Sequence, residues 1–300
     1  MTIYTQVANN RARTWVFLGI YVALILVLGY VVASVYGSVD ILLLAGVIAV
    51  AQGAVSYWYA DSIALATAHA QVLDKERYSR VYRLMENLTI TAGLPMPRLY
   101  LIPDTAMNAF ATGRDPRHAA IAVTAGLLES LDDNELSGVL AHELSHVGNE
   151  DIRLSSMVMV MAGLIALVSD LFLRSMFWGG GRRRTNDGNG DSGAIVMVVG
   201  IVLALLAPLA ATLIQLAISR RREFMADADG VLLTRYPQGL ISALQKIGAD
   251  DEPLSVANSG TAHMYFKNPL HSGWFKGLFD THPPIPDRIK ALQEGTGMHD

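Results

Sequence analysis

His142, Glu143 and His146 stand in the order His-Glu-x-x-His. If the stretch is helical, the two histidines lie four residues apart on one face, one above the other. Two imidazoles so placed can share one zinc ion, and the carboxylate between them can act on a water held there. Catalytic zinc also needs a third protein ligand and an open position for that water. The chain has no cysteine. Thiolate ligands and disulfides are thereby excluded, and histidine and carboxylate must supply the set. Glu150, Asp151 and acidic residues further on are the candidates. Glu150 and Asp151 follow His146 beyond the expected helix end and read better as exposed charges. Glu223 is the stronger candidate. Asp227 lies one turn further on the same face, where it can accept the second N–H of a metal-bound imidazole. The pair also reads as a solvated acidic turn balancing Arg220, Arg221 and Arg222, and spacing does not choose.

Several elements must position these residues. Residues 135–149 form the motif helix. Asp132, Asp133 or Asn134 caps it, and Glu135 suits the positive end of its dipole. Leu140, Ala141, Leu144 and Val147 interleave with the ligands and bury the other face. Residues 98–102, 108–113 and 119–124 read as strands, the last two joined by turn residues from Gly113 to Pro116. Residues 62–92 read as mostly helical with Gly93 as a stop, and 125–130 as a short helix. Helices are also expected over 219–235 and 237–248. Pro284 or Pro286 opens a last one.

The composition points to lipid. Of 300 residues, 52% are hydrophobic and 17% charged, against about 25% charged in a soluble domain. The net charge of −4 offers no basic face for nucleic acid. Residues 14–36 and 41–60 carry no charge apart from the turn between them, and about 20 such residues span a bilayer. The first run is too long for a signal peptide and lacks a clean cleavage site. Arg11, Arg13, Lys75, Arg77, Arg80 and Arg83 flank this hairpin on one side, which the positive-inside rule assigns to the cytoplasm. Residues 154–173 and 194–219 read as a second hairpin, with Asp170 near the end of its first run. Arg182, Arg183 and Arg184 between them run against the positive-inside rule. The second pair is therefore either oriented by the first or only partly inserted. The resulting organisation is a membrane hairpin over 1–60, a first soluble part over 61–153, a second hairpin over 154–219 and a second soluble part over 220–300.

Three motifs in this order resemble the HtpX-type membrane zinc metalloproteases, relatives of the CAAX prenyl proteases. They are His142-Glu143-Leu144-Ser145-His146, the run from Ser219 to Ala228 containing Arg222-Glu223-Phe224-Met225-Ala226-Asp227, and Thr281-His282-Pro283-Pro284 with Arg288. The resemblance implies an α-helical membrane protein carrying an α+β, zincin-like (gluzincin) protease domain with a small sheet. It implies one zinc ion on His142, His146 and Glu223, with Glu143 as general base. It also implies a bacterial inner-membrane protein that faces the cytoplasm and degrades damaged membrane proteins under stress. His282 is expected to stabilise the oxyanion, because the family has this His-Pro motif near the active site. A histidine that merely packs before a helix is the plainer account. Arg288 is expected to orient the site or pair with Asp227. Asn108, Ala109 and Phe110 match the family's edge strand, which can bind an extended peptide through its main chain.

Two other readings compete. One is a narrower processing peptidase. The other is a zinc-binding membrane scaffold or a metal transporter. A transporter should carry ionisable residues within its spans, and here three of the four expected spans have none. A scaffold that had lost its activity would be expected to lack the base or a ligand, and Glu143 is present.

Overall fold

The computed structural model describes residues 3–163, 165, 220–255, 264–267 and 283–296. Two long helices open the chain, α1 (Ile3–Tyr36) and α2 (Val39–Thr67). Both contain stretches long and apolar enough to cross a bilayer, Val7–Ser34 and Val39–Thr67. Their outer faces show Trp15, Val16, Val27, Val47 and Val50 uncovered. So much exposed apolar surface suits lipid rather than water.

Helix α2 runs on to Thr67, so the span expected over 41–60 and the first turns of the helix expected over 62–92 are one element. The physical reason is packing. Ala64, Leu65 and Ala68 bury themselves against Ile102, Ala106 and Phe110, so the last turns anchor in the folded domain. The expectation of continuous helix over 62–92 also needs correction. The chain breaks after α2, forms the short strand β1 (Gln71–Val72), and only then enters α3 (Ser79–Ala92). Gly93 closes α3 with φ 65°, a left-handed conformation that glycine adopts without steric cost.

Strands β2 (Arg98–Ile102), β3 (Ala109–Thr112) and β4 (Ala120–Thr124) complete a four-stranded sheet ordered β1-β2-β4-β3. β2 and β4 run parallel, and β3 pairs antiparallel with β4 at one edge. A short helix α4 (Ala125–Ser130) leads to the motif helix α5 (Asp133–Gly148). After the apolar stretch come α6 (Arg220–Thr234), α7 (Pro237–Ala249) and α8 (Ile285–Thr296).

The main core lies between the sheet, α3, α5 and α7. Leu136, Val139, Leu140 and Leu144 of α5 meet Ile121, Met85, Leu240 and Leu244. Each fully buried side chain of this kind stabilises the fold by roughly 1.5–3 kcal/mol. Residues 151–163 are helical and leave α5 toward the hairpin. There Met157 and Met161 pack on Phe17 and Tyr21 of α1, while Met159 turns to the cluster that holds Phe110 and Tyr265. The remainder of the expected span 154–173 falls outside the described residues apart from Ile165, and all of the span 194–219 does.

Candidate metal centre

Helix α5 begins with a reciprocal cap. Asp132 accepts from the backbone N–H groups of Asn134 and Glu135, and Glu135 accepts from the N–H of Asp132 at 2.8 Å. Glu135 also accepts from Ser242 and from Lys246 of α7, at 2.6 and 2.7 Å. This fixes the start of the helix. Its later turns bring His142 and His146 to one face, with Nε2 of one 3.2 Å from Nε2 of the other.

Helix α6 brings the carboxylates. Its buried residues Glu223, Ala226, Asp227 and Gly230 recur at helical spacing and form one stripe against α5. Gly230 makes the approach close. A Cβ there would stand 3.1 Å from the backbone nitrogen of His142, so any larger residue pushes the helices apart. One carboxylate oxygen of Glu223 lies 3.7 Å from His142 Nε2 and the other 3.6 Å from His146 Nε2. The three groups can each offer a ligand atom, all within 4.8 Å of one another. Two donors bound at 2.0–2.1 Å to one tetrahedral zinc stand about 3.3 Å apart. The observed separations therefore outline three corners of such a site, and the nitrogen and oxygen donors suit it. Glu143 is buried beside them.

Each imidazole is oriented from behind. His142 Nδ1 lies 2.8 Å from Asp227 Oδ1. A carboxylate only accepts, so the proton is assigned to Nδ1 and the lone pair of Nε2 faces the cluster. Arg288, fully buried, donates Nε and Nη2 to the two oxygens of Asp227 at 2.8 and 2.6 Å. The guanidinium holds the Asp227 carboxyl down to about 2 against the opposing effect of burial. Burial, helped by the Arg288 charge, pushes His142 down to about 4. Phe266 closes the back of the site. Its ring meets His142 edge-on at 4.9 Å and lies 4.4 Å from the Arg288 guanidinium.

The exposed-charge reading of Glu150 and Asp151 is overturned, because both are buried. Asp151 takes His146 Nδ1 at 3.1 Å. The reason is local backbone geometry. Glu150 adopts φ 55°, a left-handed conformation that costs a non-glycine residue and must be held by its surroundings. Its carboxylate pairs with Arg11 and with Arg153. The turn sends Asp151 back toward the last turn of α5. Arg222 also reaches Asp151, at 3.2 Å. Burial opposes charge on His146, but the bond to Asp151 and the nearby carboxylates of Glu223 and Glu143 outweigh it, raising His146 to about 9 in the metal-free chain.

The strand residues are part of a different arrangement. β3 is an edge strand beside α5. Asn108 is buried and grips the segment 264–267, accepting from Lys267 N at 3.1 Å and donating to Lys267 O at 2.9 Å. Phe266 N donates to Ala109 O at 2.8 Å, and Phe110 packs edge-on against Tyr265. The chain's own segment thus occupies the first part of that edge. Thr124 N donates to Asn108 O. Alternation then turns the N–H and C=O of Ala111 away from β4, toward the edge of the sheet, although all four residues of β3 are buried. His282 lies outside the described residues. The neighbouring Pro284 carbonyl accepts from the N–H groups of Asp287 and Arg288, so this motif begins the helix that carries Arg288.

The chain is similar to known proteins along nearly its whole length. The chain is 41% identical over 292 residues to a protein named Protease HtpX homolog from Tropheryma whipplei (strain Twist), covering 97% of this chain and 98% of that one. A protein of the same name from Caldanaerobacter subterraneus subsp. tengcongensis is 41% identical over 297 residues, covering 98% of each. Among solved structures, the crystal structure of S. mikatae Ste24p matches with a TM-score of 0.50 at 18% identity, covering 88% of this chain and 62% of that one. That likeness concerns the fold alone. The model of peptidase family M48 matches residues 75–296, most of the chain, and the chain belongs to that family.

Proposed function

We propose that this family M48 metalloprotease is a membrane-integrated zinc endopeptidase. In this reading His142, His146 and Glu223 hold one zinc ion and Glu143 is the general base. The observation that carries it is the convergence of two imidazole nitrogens and one carboxylate within 4.8 Å, each imidazole backed by its own carboxylate. When bound, zinc supplies Lewis acidity, lowering the pKa of a water to about 7 and polarising the scissile carbonyl.

The chain's own groups do the rest. Glu143 takes a proton from the attacking water and passes it to the leaving amine. His282 donates to the oxyanion, a role resting on its His-Pro motif next to α8. Asp227 and Asp151 hold the two imidazoles in the tautomer that presents Nε2. Arg288 keeps Asp227 ionised. The substrate lies extended along the rest of β3 and pairs through the main-chain groups of Ala111, with Asn108, Ala109 and Phe110 shaping that edge through their hold on the segment 264–267. Main-chain pairing accepts many sequences, as quality control requires.

The site serves membrane substrates. α5 leads directly into the helical residues 151–163 that pack on α1, which puts the cluster near the base of the hairpin. The excess of Arg and Lys on that side supports a cytoplasmic active site in a bacterial inner membrane. The substrates are then loops or unfolded segments of damaged membrane proteins. The direct test is Glu143→Gln in purified full-length protein. Zinc content should be retained and cleavage of casein, or of the chain itself, abolished. A variant that still cleaves at the parental rate sinks the mechanism.

A further inference from the structure

Asn10 sits near the start of α1, within the stretch apolar and long enough to cross a bilayer. It is nevertheless buried, at 5% exposure. A buried primary amide in such a helix is costly unless it is bonded. Its Nδ2 donates to Asn149 O at 2.9 Å and to Asp151 Oδ1 at 2.7 Å. The other oxygen of Asp151 is the one that meets His146 Nδ1 at 3.1 Å. The next residue, Arg11, holds Glu150 in its left-handed turn through Nε at 2.9 Å. Two adjacent residues of the membrane helix therefore secure the turn that aims Asp151 at His146.

We infer that Asn10 is a positioning residue for the metal centre, acting through Asp151 on His146. Docking of α1 thereby completes the zinc site. Arg222 Nη1 meets the same Oδ1 of Asp151 at 3.2 Å, and the amide of Asn10 is the closer partner at 2.7 Å. The amide of Asn10 fixes one oxygen, and the second is then presented to the imidazole. Phe17 and Tyr21 further along α1 pack on Leu154, Met157, Val158 and Met161, an apolar contact separate from the hydrogen bonds of Asn10. The inference rests on the zinc reading above.

The test uses the full-length chain in detergent, in a Glu143→Gln background that prevents self-digestion. Zinc affinity is read by chelator competition, and the ligand field by the visible spectrum after cobalt substitution. Loss of a partner behind a metal-bound histidine typically weakens affinity by about 10- to 100-fold. Asn10→Ala and the better-packed Asn10→Leu should each weaken zinc by about 10-fold and shift the cobalt bands. Asn10→Ala added to Asp151→Ala should cost nothing further, since the effect runs through Asp151. Phe17→Ala, which loosens the same helix without touching this network, should change zinc affinity by less than about twofold. Unchanged affinity in both Asn10 variants overturns the inference, as does an equal loss in Phe17→Ala or full additivity with Asp151→Ala. A parent chain that binds no zinc overturns the functional reading itself, and with it this one.

Discussion

Nε2 of His146 and the carboxylate of Glu223 face each other at 3.6 Å, although the chain passes through a long apolar stretch between them. α5 supplies one and α6 the other, and the two helices touch almost backbone to backbone at Gly230. The site is therefore assembled by packing two helices, not by one local motif.

Glu223→Ala should weaken zinc binding by more than about 100-fold, more than the loss of a supporting partner costs. Glu223→Asp keeps the charge but withdraws it by one methylene, and should fall between the two. Metal analysis after dialysis against a weak chelator separates these outcomes. Full zinc occupancy in Glu223→Ala would remove Glu223 as a ligand.

Arg288→Met should destabilise the fold by about 3–5 kcal/mol, because it strands the buried charge of Asp227. Pairing it with Asp227→Leu should recover part of the loss. Denaturant unfolding in detergent, read by helical signal, measures both. A single variant within about 1 kcal/mol of the parent would mean that water or another group already compensates Asp227.

Zinc affinity should rise with pH. His146, raised to about 9 in the metal-free chain, carries a proton at neutral pH that must leave before its nitrogen can bind metal. This one proton makes the apparent affinity climb about tenfold per pH unit up to about 9, then level off. His142, pushed down to about 4, is already neutral there and adds no slope. Asp151→Asn removes the strongest support for the His146 charge and should move the sloping region to lower pH. A flat profile between pH 7 and pH 8.5 rules this out.

Ala111→Pro should cost about tenfold in kcat/KM on extended peptides, with most of the loss in KM. The register directs the Ala111 N–H away from β4, so proline there spares the β3–β4 ladder, as edge strands allow. It removes one donor to an added strand. Zinc content should not change. Phe110→Pro is the contrast, since its N–H faces β4 and its loss should damage folding. Unaltered peptide kinetics in Ala111→Pro would show that substrate does not lie on this edge.

Much of the chain could be read locally. Periods of 3.6 and 2 set the motif helix and the strands, and unbroken apolar length sets the first two helices, because each depends only on neighbours in sequence. The pairing of His142 with His146 on one face follows from the same geometry. The position of Asp151 has a local cause of another kind. Five residues is not a contact spacing on a helix, and only the left-handed turn at Glu150 brings its carboxylate back to His146. At that turn the Glu150 carboxylate pairs with Arg11, far away in the chain, and with Arg153. Neither Asn10 nor Phe266 has any signal by type or spacing, since an amide beside Asn9, Arg11 and Arg13 and an aromatic in a loop are ordinary there. The continuity of α2 with the span before it is likewise not local, because Ile102 and Phe110 cover Ala64 and Leu65. The motif helix, strands β2 to β4 and the face that presents two imidazoles are legible in the chain, because they follow from its periodicity, whereas the break at β1 is not. The tertiary structure alone decided which carboxylates close on those imidazoles and what covers the edge of β3, because both depend on contacts between segments that no local period relates.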